Sequence, residues 1–187
     1  MSVNKNYAAK IYSHLINGKV LVREIIQNDN LINNYLFSEI MDNLKAYEEQ
    51  YAMCGFNFIN TGDYVYISDK QPPNDRKTDV GMKAQILLLM VGKYLNSRNL
   101  SLTRFSTLSA GITNEELEEI QISGDNADIL IRAGMGNGFI SSFKSNLVER
   151  NIVLEKTTSR TYVLSAIGKQ FFEELKDLYG KDESIAT

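Results

Sequence analysis

Apolar residues in the first 70 positions fall into three patterns. Tyr7, Ala8, Ile11, Tyr12 and Leu15 recur at helical spacing. Asn17-Gly18 closes that helix, because Gly takes a left-handed cap without a Cβ clash. Val20-Leu21-Val22 is a short apolar run that reads as a minor strand. Asp29 or Asn30 then caps a longer predicted helix, with apolar positions at Leu31, Ile32, Tyr35, Leu36, Ile40, Leu44, Tyr47 and Tyr51, ended by Cys54-Gly55. Phe56-Asn57-Phe58-Ile59 alternates, Asn60-Thr61-Gly62-Asp63 is turn chemistry, and Tyr64-Val65-Tyr66-Ile67 is aromatic and β-branched, which together predict a β-hairpin.

The same order returns further along. Residues 82–95 predict a helix, and the unbroken apolar run 86–91 buries it on more than one side. Thr113-Asn114-Glu115-Glu116 is a capping box, in which the Thr hydroxyl takes an amide of the first turn and Glu116 reaches back. A short helix follows, and Phe139, Phe143 and Leu147 mark another. Residues 152–156 and 160–164 predict strands joined by Thr157-Thr158-Ser159, and Ser165 caps a last helix carrying Ile167, Phe171, Phe172, Leu175 and Leu178.

Between the two series lies Asp69-Lys70-Gln71-Pro72-Pro73-Asn74-Asp75-Arg76, polar and without an apolar period, which reads as a linker. Helix, short helix, helix, hairpin is the order of a winged helix. The pattern therefore predicts a mainly α chain with small β-hairpins, arranged as tandem winged-helix domains. They comprise an N-terminal domain over 1–70, a linker over 71–78, a C-terminal domain over 79–180 and a tail over 181–187. A single α+β domain is the alternative.

Composition narrows the class. With 187 residues, 43% hydrophobic and 23% charged, the chain is ordinary globular protein. Its longest apolar run, 86–91, is far short of the ~20 residues that span a bilayer. The start, Met1-Ser2-Val3-Asn4-Lys5-Asn6, does not read as a signal peptide, so a cytoplasmic protein is expected. The lone Cys54 fits a reducing compartment and reads as a small buried filler. Net charge is −3, but it is blocked: 71–112 carries 6 basic and 2 acidic residues, 113–130 none and 6, and 131–170 again 6 and 2. Two blocks of +4 flanking one of −6 suit a chain that meets both a charged polymer and a protein, although solvated faces produce the same pattern.

No catalytic constellation assembles. His14 lies within a predicted helix, and no Gly-x-Ser-x-Gly elbow exists for a triad. One His and one Cys cannot make a Cys/His zinc cluster. Gly134-Met135-Gly136-Asn137-Gly138 follows an apolar run and precedes a helix, as a phosphate loop would. It matches neither Gly-x-Gly-x-x-Gly nor the Walker pattern, and Asp125–Ala133 reads equally well as a helix. The acidic run Glu115, Glu116, Glu118 and Glu119 suits the positive end of a helix dipole. An enzyme is not expected, nor a cofactor or metal.

Several stretches, taken in order, resemble the MukE/MksE family, the small accessory subunits of bacterial SMC-type condensins. They are Val22-Arg23-Glu24 through Tyr35-Leu36-Phe37, Tyr47-Glu48-Glu49-Gln50-Tyr51, Phe56-Asn57-Phe58 and Tyr64-Val65-Tyr66-Ile67. Met90-Val91-Gly92-Lys93 and the segment Leu147–Leu164 extend the likeness over most of 20–165. The resemblance implies a homodimeric tandem winged-helix protein that clamps a kleisin subunit of the MukF or MksF type. That kleisin bridges an SMC ATPase of the MukB or MksB type, in nucleoid-associated chromosome work or in plasmid defence. The ATPase belongs to the partner, which agrees with the missing phosphate loop.

Two sets of residues follow. The aromatics crowding the first unit, chiefly Tyr35, Tyr47, Tyr51, Tyr64 and Tyr66, are expected at a dimer interface, since so small a unit has limited interior. For DNA the expected residues are Lys144 and Arg150 on the third helix of the second unit, Lys156 and Arg160 on its wing, and Arg132 upstream. In the family that third helix is rich in arginine, whereas here Glu149 intervenes and only two basic residues are present. Contact through so few phosphates is non-specific and weak, with Kd on the order of 10⁻⁴–10⁻⁶ M at physiological salt. A dimeric winged-helix transcription regulator is the alternative from another class.

Overall fold

A computed structural model of the chain describes residues 3–70 and 75–180, with backbone alone at 75–80, 176 and 178–180. The fold is mixed, mainly helical with small antiparallel sheets.

The first half opens with α1 (Lys5–Ile16), capped by Asn4, whose side chain accepts from the amides of Asn6 and Tyr7. The strand β1 (Leu21–Val22) follows. After it the chain forms a hairpin, β2 (Glu24–Gln27) and β3 (Asn30–Asn33), with Ile25 opposite Ile32 and Ile26 opposite Leu31. This corrects the expected helix start at Asp29 or Asn30. Asn28 and Asp29 sit at φ 50° and 59°, the left-handed pair that a two-residue hairpin turn needs.

The helix begins instead at α2 (Tyr35–Asp42). Its cap Asn34 is buried, accepting from Leu36 N at 3.1 Å and donating to the Val22 carbonyl at 2.9 Å. Asn43 at φ −130° breaks the predicted long helix, and α3 (Leu44–Met53) continues it. The hairpin β4 (Phe56–Asn60) and β5 (Tyr64–Asp69) forms as predicted. Strand β1 pairs with β5, giving the sheet order β1-β5-β4.

The second half has the same plan. Helix α4 (Asp75–Ser97) carries Leu87, Leu88, Val91 and Leu95 at 0% exposure on one face, while Ile86 and Leu89 of the apolar run are half-buried and Gln85, Lys93 and Asn96 are exposed, so the burial on more than one side expected from that run is not found. Residues 75–78 of the expected linker belong to this helix, while 71–74 and the expected tail 181–187 lie outside the described residues. A 3₁₀ turn (Leu102–Ser106) and β6 (Ile112–Thr113) lead into α5 (Asn114–Ile122), whose capping box is complete. Then come α6 (Asn126–Arg132) and α7 (Phe139–Phe143), the latter widening into one π turn over Lys144–Val148. The hairpin β7 (Val153–Lys156) and β8 (Thr161–Leu164) runs into α8 (Ala166–Gly180). Strand β6 pairs with β8, giving β6-β8-β7.

The start of α8 is keyed to a single carbonyl. Ser165 donates its amide and its hydroxyl to Ile152 O at 3.1 and 3.0 Å, and a Cβ on Gly168 would collide with that same oxygen. Only Gly lets the helix backbone approach so closely.

The two halves are not separately packed. One core gathers Ile11, Leu15, Leu21, Leu36, Phe37, Ile40, Tyr47, Tyr51 and Val65 of the first half. The other centres on α4, α7 and the β7–β8 hairpin, and it also takes in Val20, Val22 and Tyr64 from the first half. Burying an aliphatic or aromatic side chain contributes about 1.5–3 kcal/mol, so these three alone give the joint a substantial apolar hold.

Candidate functional site

Polar contacts reinforce the joint. The Arg150 guanidinium donates to the Gly18 carbonyl at 3.3 Å, and the Arg150 carbonyl accepts from Val20 N at 3.1 Å. Asn151 donates its side-chain amide to Val20 O at 2.8 Å, and the Tyr64 hydroxyl donates to Gln170. At the far end of the joint the Asp29 carboxylate accepts from the amides of Thr158 and Ser159, at 3.0 and 2.9 Å. Desolvation raises the Asp29 pKa, but these hydrogen bonds and the nearby Lys156 outweigh it and hold it below the usual carboxylate value. A groove of about 390 Å³ runs along the joint between Arg23, Glu24 and Leu31 on one side and Leu108, Leu154, Ala166 and Lys169 on the other. Arg23 and Asp63 form an ion pair at 3.2 Å at its edge.

The five expected DNA residues divide. Lys144, Arg132 and Arg160 are exposed. Arg150 is half-buried and committed to Gly18, so it belongs to the joint rather than to an open surface. Lys156 is half-buried and donates its ammonium to Leu108 O at 3.1 Å. Arg160 takes φ 51° at the end of the β7–β8 turn and lies near Glu115. The pKa of Glu115 is lowered by its own amide and the Thr113 hydroxyl, against desolvation, with Arg160 adding to the shift. Of Lys144 and Arg150, only Lys144 is exposed.

The tyrosines divide as well. Tyr47 and Tyr51 are each 1% exposed and Tyr64 is 6% exposed, so these three fill the interior of the chain and are not surface residues. Burial, then Glu39, pushes the Tyr47 hydroxyl up to about 12. Tyr66 is half-buried and stacks on Tyr64. Tyr35 remains open, at 46% exposure, on the first turn of α2. Its ring meets Tyr7 at 5.0 Å and lies beneath the Lys10 ammonium at 5.8 Å. Tyr12 and Ile16, one turn apart on α1, are 45% and 42% exposed. Cys54, expected as a buried filler, is exposed, as are Ala52 and Met53 before it at the end of α3.

Sequence reasoning missed Asp29 and Asn151 as residues of the joint. Asn28-Asp29 between two short apolar pairs was the available signal for the first; nothing in the sequence marks the second. Among the described residues no group of three or more His, Cys, Asp or Glu is placed to hold a metal ion, and no helix is long and apolar enough to cross a membrane. What the arrangement offers is recognition surface, in three places: the open face of α1 and α2, the joint groove, and the β7–β8 turn with the exposed Arg160.

The family model described as condensin complex protein MksE matches residues 6–176, from α1 into α8 and across both halves. No curated protein matches the chain.

Proposed function

The chain belongs to the MksE family of condensin complex proteins, and on that footing we propose that it is a non-catalytic accessory subunit of a bacterial SMC-type condensin. In this reading it forms a homodimer and binds the kleisin, which connects it to the SMC ATPase. The observation that carries the reading is the family match over residues 6–176, which spans both halves and the joint between them. The topology supports a tandem winged-helix assignment. In each half a leading helix is followed by a short strand, further helices and a hairpin whose second strand takes the short strand as its partner. The β2–β3 hairpin is then an insertion in the first winged helix, and α6 an extra helix in the second.

Dimerisation is assigned to the open face of Tyr12, Ile16 and Tyr35, in place of the buried tyrosines. DNA contact is weak and confined to phosphates, through Lys144, Arg132 and Arg160. Chromosome organisation and plasmid defence are both served by such a subunit. The test is co-expression of the tagged chain with the kleisin and SMC ATPase of the same genome. Stoichiometric co-purification with the kleisin, persisting when the ATPase is omitted, is expected. Purification of the chain alone in the presence of both would overturn the reading.

A further inference from the structure

The Asp29 carboxylate lies across two successive backbone amides, Thr158 and Ser159, with one oxygen on each. Those amides belong to a turn that closes with Arg160 at φ 51°. Consecutive N–H groups in a turn that ends left-handed form a concavity that holds anions. Its surroundings are basic on two sides: Lys156 lies close enough to act on the Asp29 carboxylate, and the Arg160 side chain is open at the rim. Glu115, near Arg160, is the neighbouring acid.

A simple clamp does not need this arrangement. Ile25 and Ile26 of β2 already pack against the second core, which docks the hairpin without Asp29. At φ 59° Asp29 also occupies a position where Gly is the favoured residue, so the backbone does not call for an Asp there. The side chain accounts for the choice. Its two oxygens present to the amides what a phosphate would present, and donors that accept a bidentate carboxylate also accept a phosphate.

We propose that the turn 157–160 is a phosphate-binding site of the second half, filled in cis by Asp29, so that the β2–β3 hairpin holds a nucleic-acid backbone off this face. The inference deepens the DNA-contact part of the function proposed above and rests on it for the identity of the ligand. The chemistry recognised is a phosphate group, and its source is the backbone of duplex DNA.

The full chain and its Asp29→Gly variant test the site. The substitution places Asn-Gly in the turn, the dipeptide that such turns favour most, so the hairpin is retained while the carboxylate is removed. Asp29→Asn, which keeps the shape and drops the charge, serves if the Gly variant folds poorly. The first measurement follows the Thr158 and Ser159 amides by NMR during titration with inorganic phosphate; they should move in the variant and stay still in the wild type. In the second, the variant should bind a short fluorescent duplex about tenfold more tightly at low salt, the scale of one charge-assisted hydrogen bond. Adding Arg160→Ala should abolish that gain. Equal duplex affinity in variant and wild type overturns the proposal. If both bind, DNA contact stands without the Asp29 gate; if neither binds, the DNA reading fails too. Amide shifts with phosphate but no gain on duplex would also overturn it, identifying free phosphate as the ligand.

Discussion

Arg150 reaches across the joint to Gly18, 132 positions earlier in the chain, and its guanidinium occupies the space where any other residue at 18 would place a Cβ. Gly18 sits at φ 72°, so two demands, a left-handed cap for α1 and room for a guanidinium, meet at one residue. Arg150 is therefore a structural residue. Arg150→Ala should cost about 1–2 kcal/mol in urea denaturation, since the Gly18 carbonyl loses a charged donor. Duplex affinity should be unchanged, and a parallel loss of DNA binding would return Arg150 to the nucleic-acid surface.

The hydroxyl of Tyr51 is buried without a hydrogen-bond partner, while its ring stacks on Phe58 at 5.4 Å and meets Phe56 edge-on. Tyr51→Phe removes an unpaired polar atom and keeps the packing. The expected change in unfolding free energy is zero to about 1 kcal/mol in favour of the variant. Tyr51→Ala should cost about 3–5 kcal/mol through the cavity it leaves.

His14 gives the chain a pH-dependent stability at mild acidity. Desolvation, then the charges of Lys19 and Lys10, lower its pKa from 6.5 in the folded chain. The unfolded chain therefore binds the proton more readily. The contribution of this group is complete above about pH 6.5, declines as pH falls through that value, and levels off below the folded pKa. The chain has no other histidine. His14→Gln should flatten the slope of stability between about pH 7.5 and 5.5, as read from urea midpoints. A slope unchanged by the substitution would place its origin elsewhere.

Tyr12 and Tyr35 lie on the open face of α1 and α2, at 45% and 46% exposure. Replacing both by Glu puts charge into the proposed dimer interface without touching the buried residues of the first core. Light scattering at micromolar concentration should show the wild type at twice the monomer mass and the double variant at monomer mass, with melting of the protomer little changed. A wild-type monomer would remove this face from consideration.

Much of the fold was legible because local chemistry and packing agree there. Thr113 and Glu116 announced their box, and the structure completes it while Glu116 also takes Arg104 at 2.6 Å. Both hairpins ending the halves were legible from alternation between turn residues. The β2–β3 hairpin was not, because Leu31 and Ile32 stand at helical distance from Tyr35 and Leu36, and because β3 is exposed along its whole length and so shows no alternation. The break at Asn43 carries no Gly or Pro. The aromatic richness of the first half was read as surface, yet Tyr47 and Tyr51 are swallowed by a core that draws on three helices and a sheet. Lys156 and Arg150 look alike in sequence to Lys144 and Arg132; only the long-range partners Leu108 and Gly18 separate them.

The shared joint also bears on how the chain is made. Synthesis delivers Val20, Val22 and Tyr64 well before Val153, Val163 and Phe172, the residues of the core they enter. Until the last hairpin and helix leave the ribosome, the newborn first half carries an apolar ledge with nothing against it. Domains that fold in order of emergence pass such intervals exposed to aggregation. For this chain the hazard ends only when that hairpin and helix close over Val20, Val22 and Tyr64, behind the contacts of Arg150 and Asn151 with Gly18 and Val20.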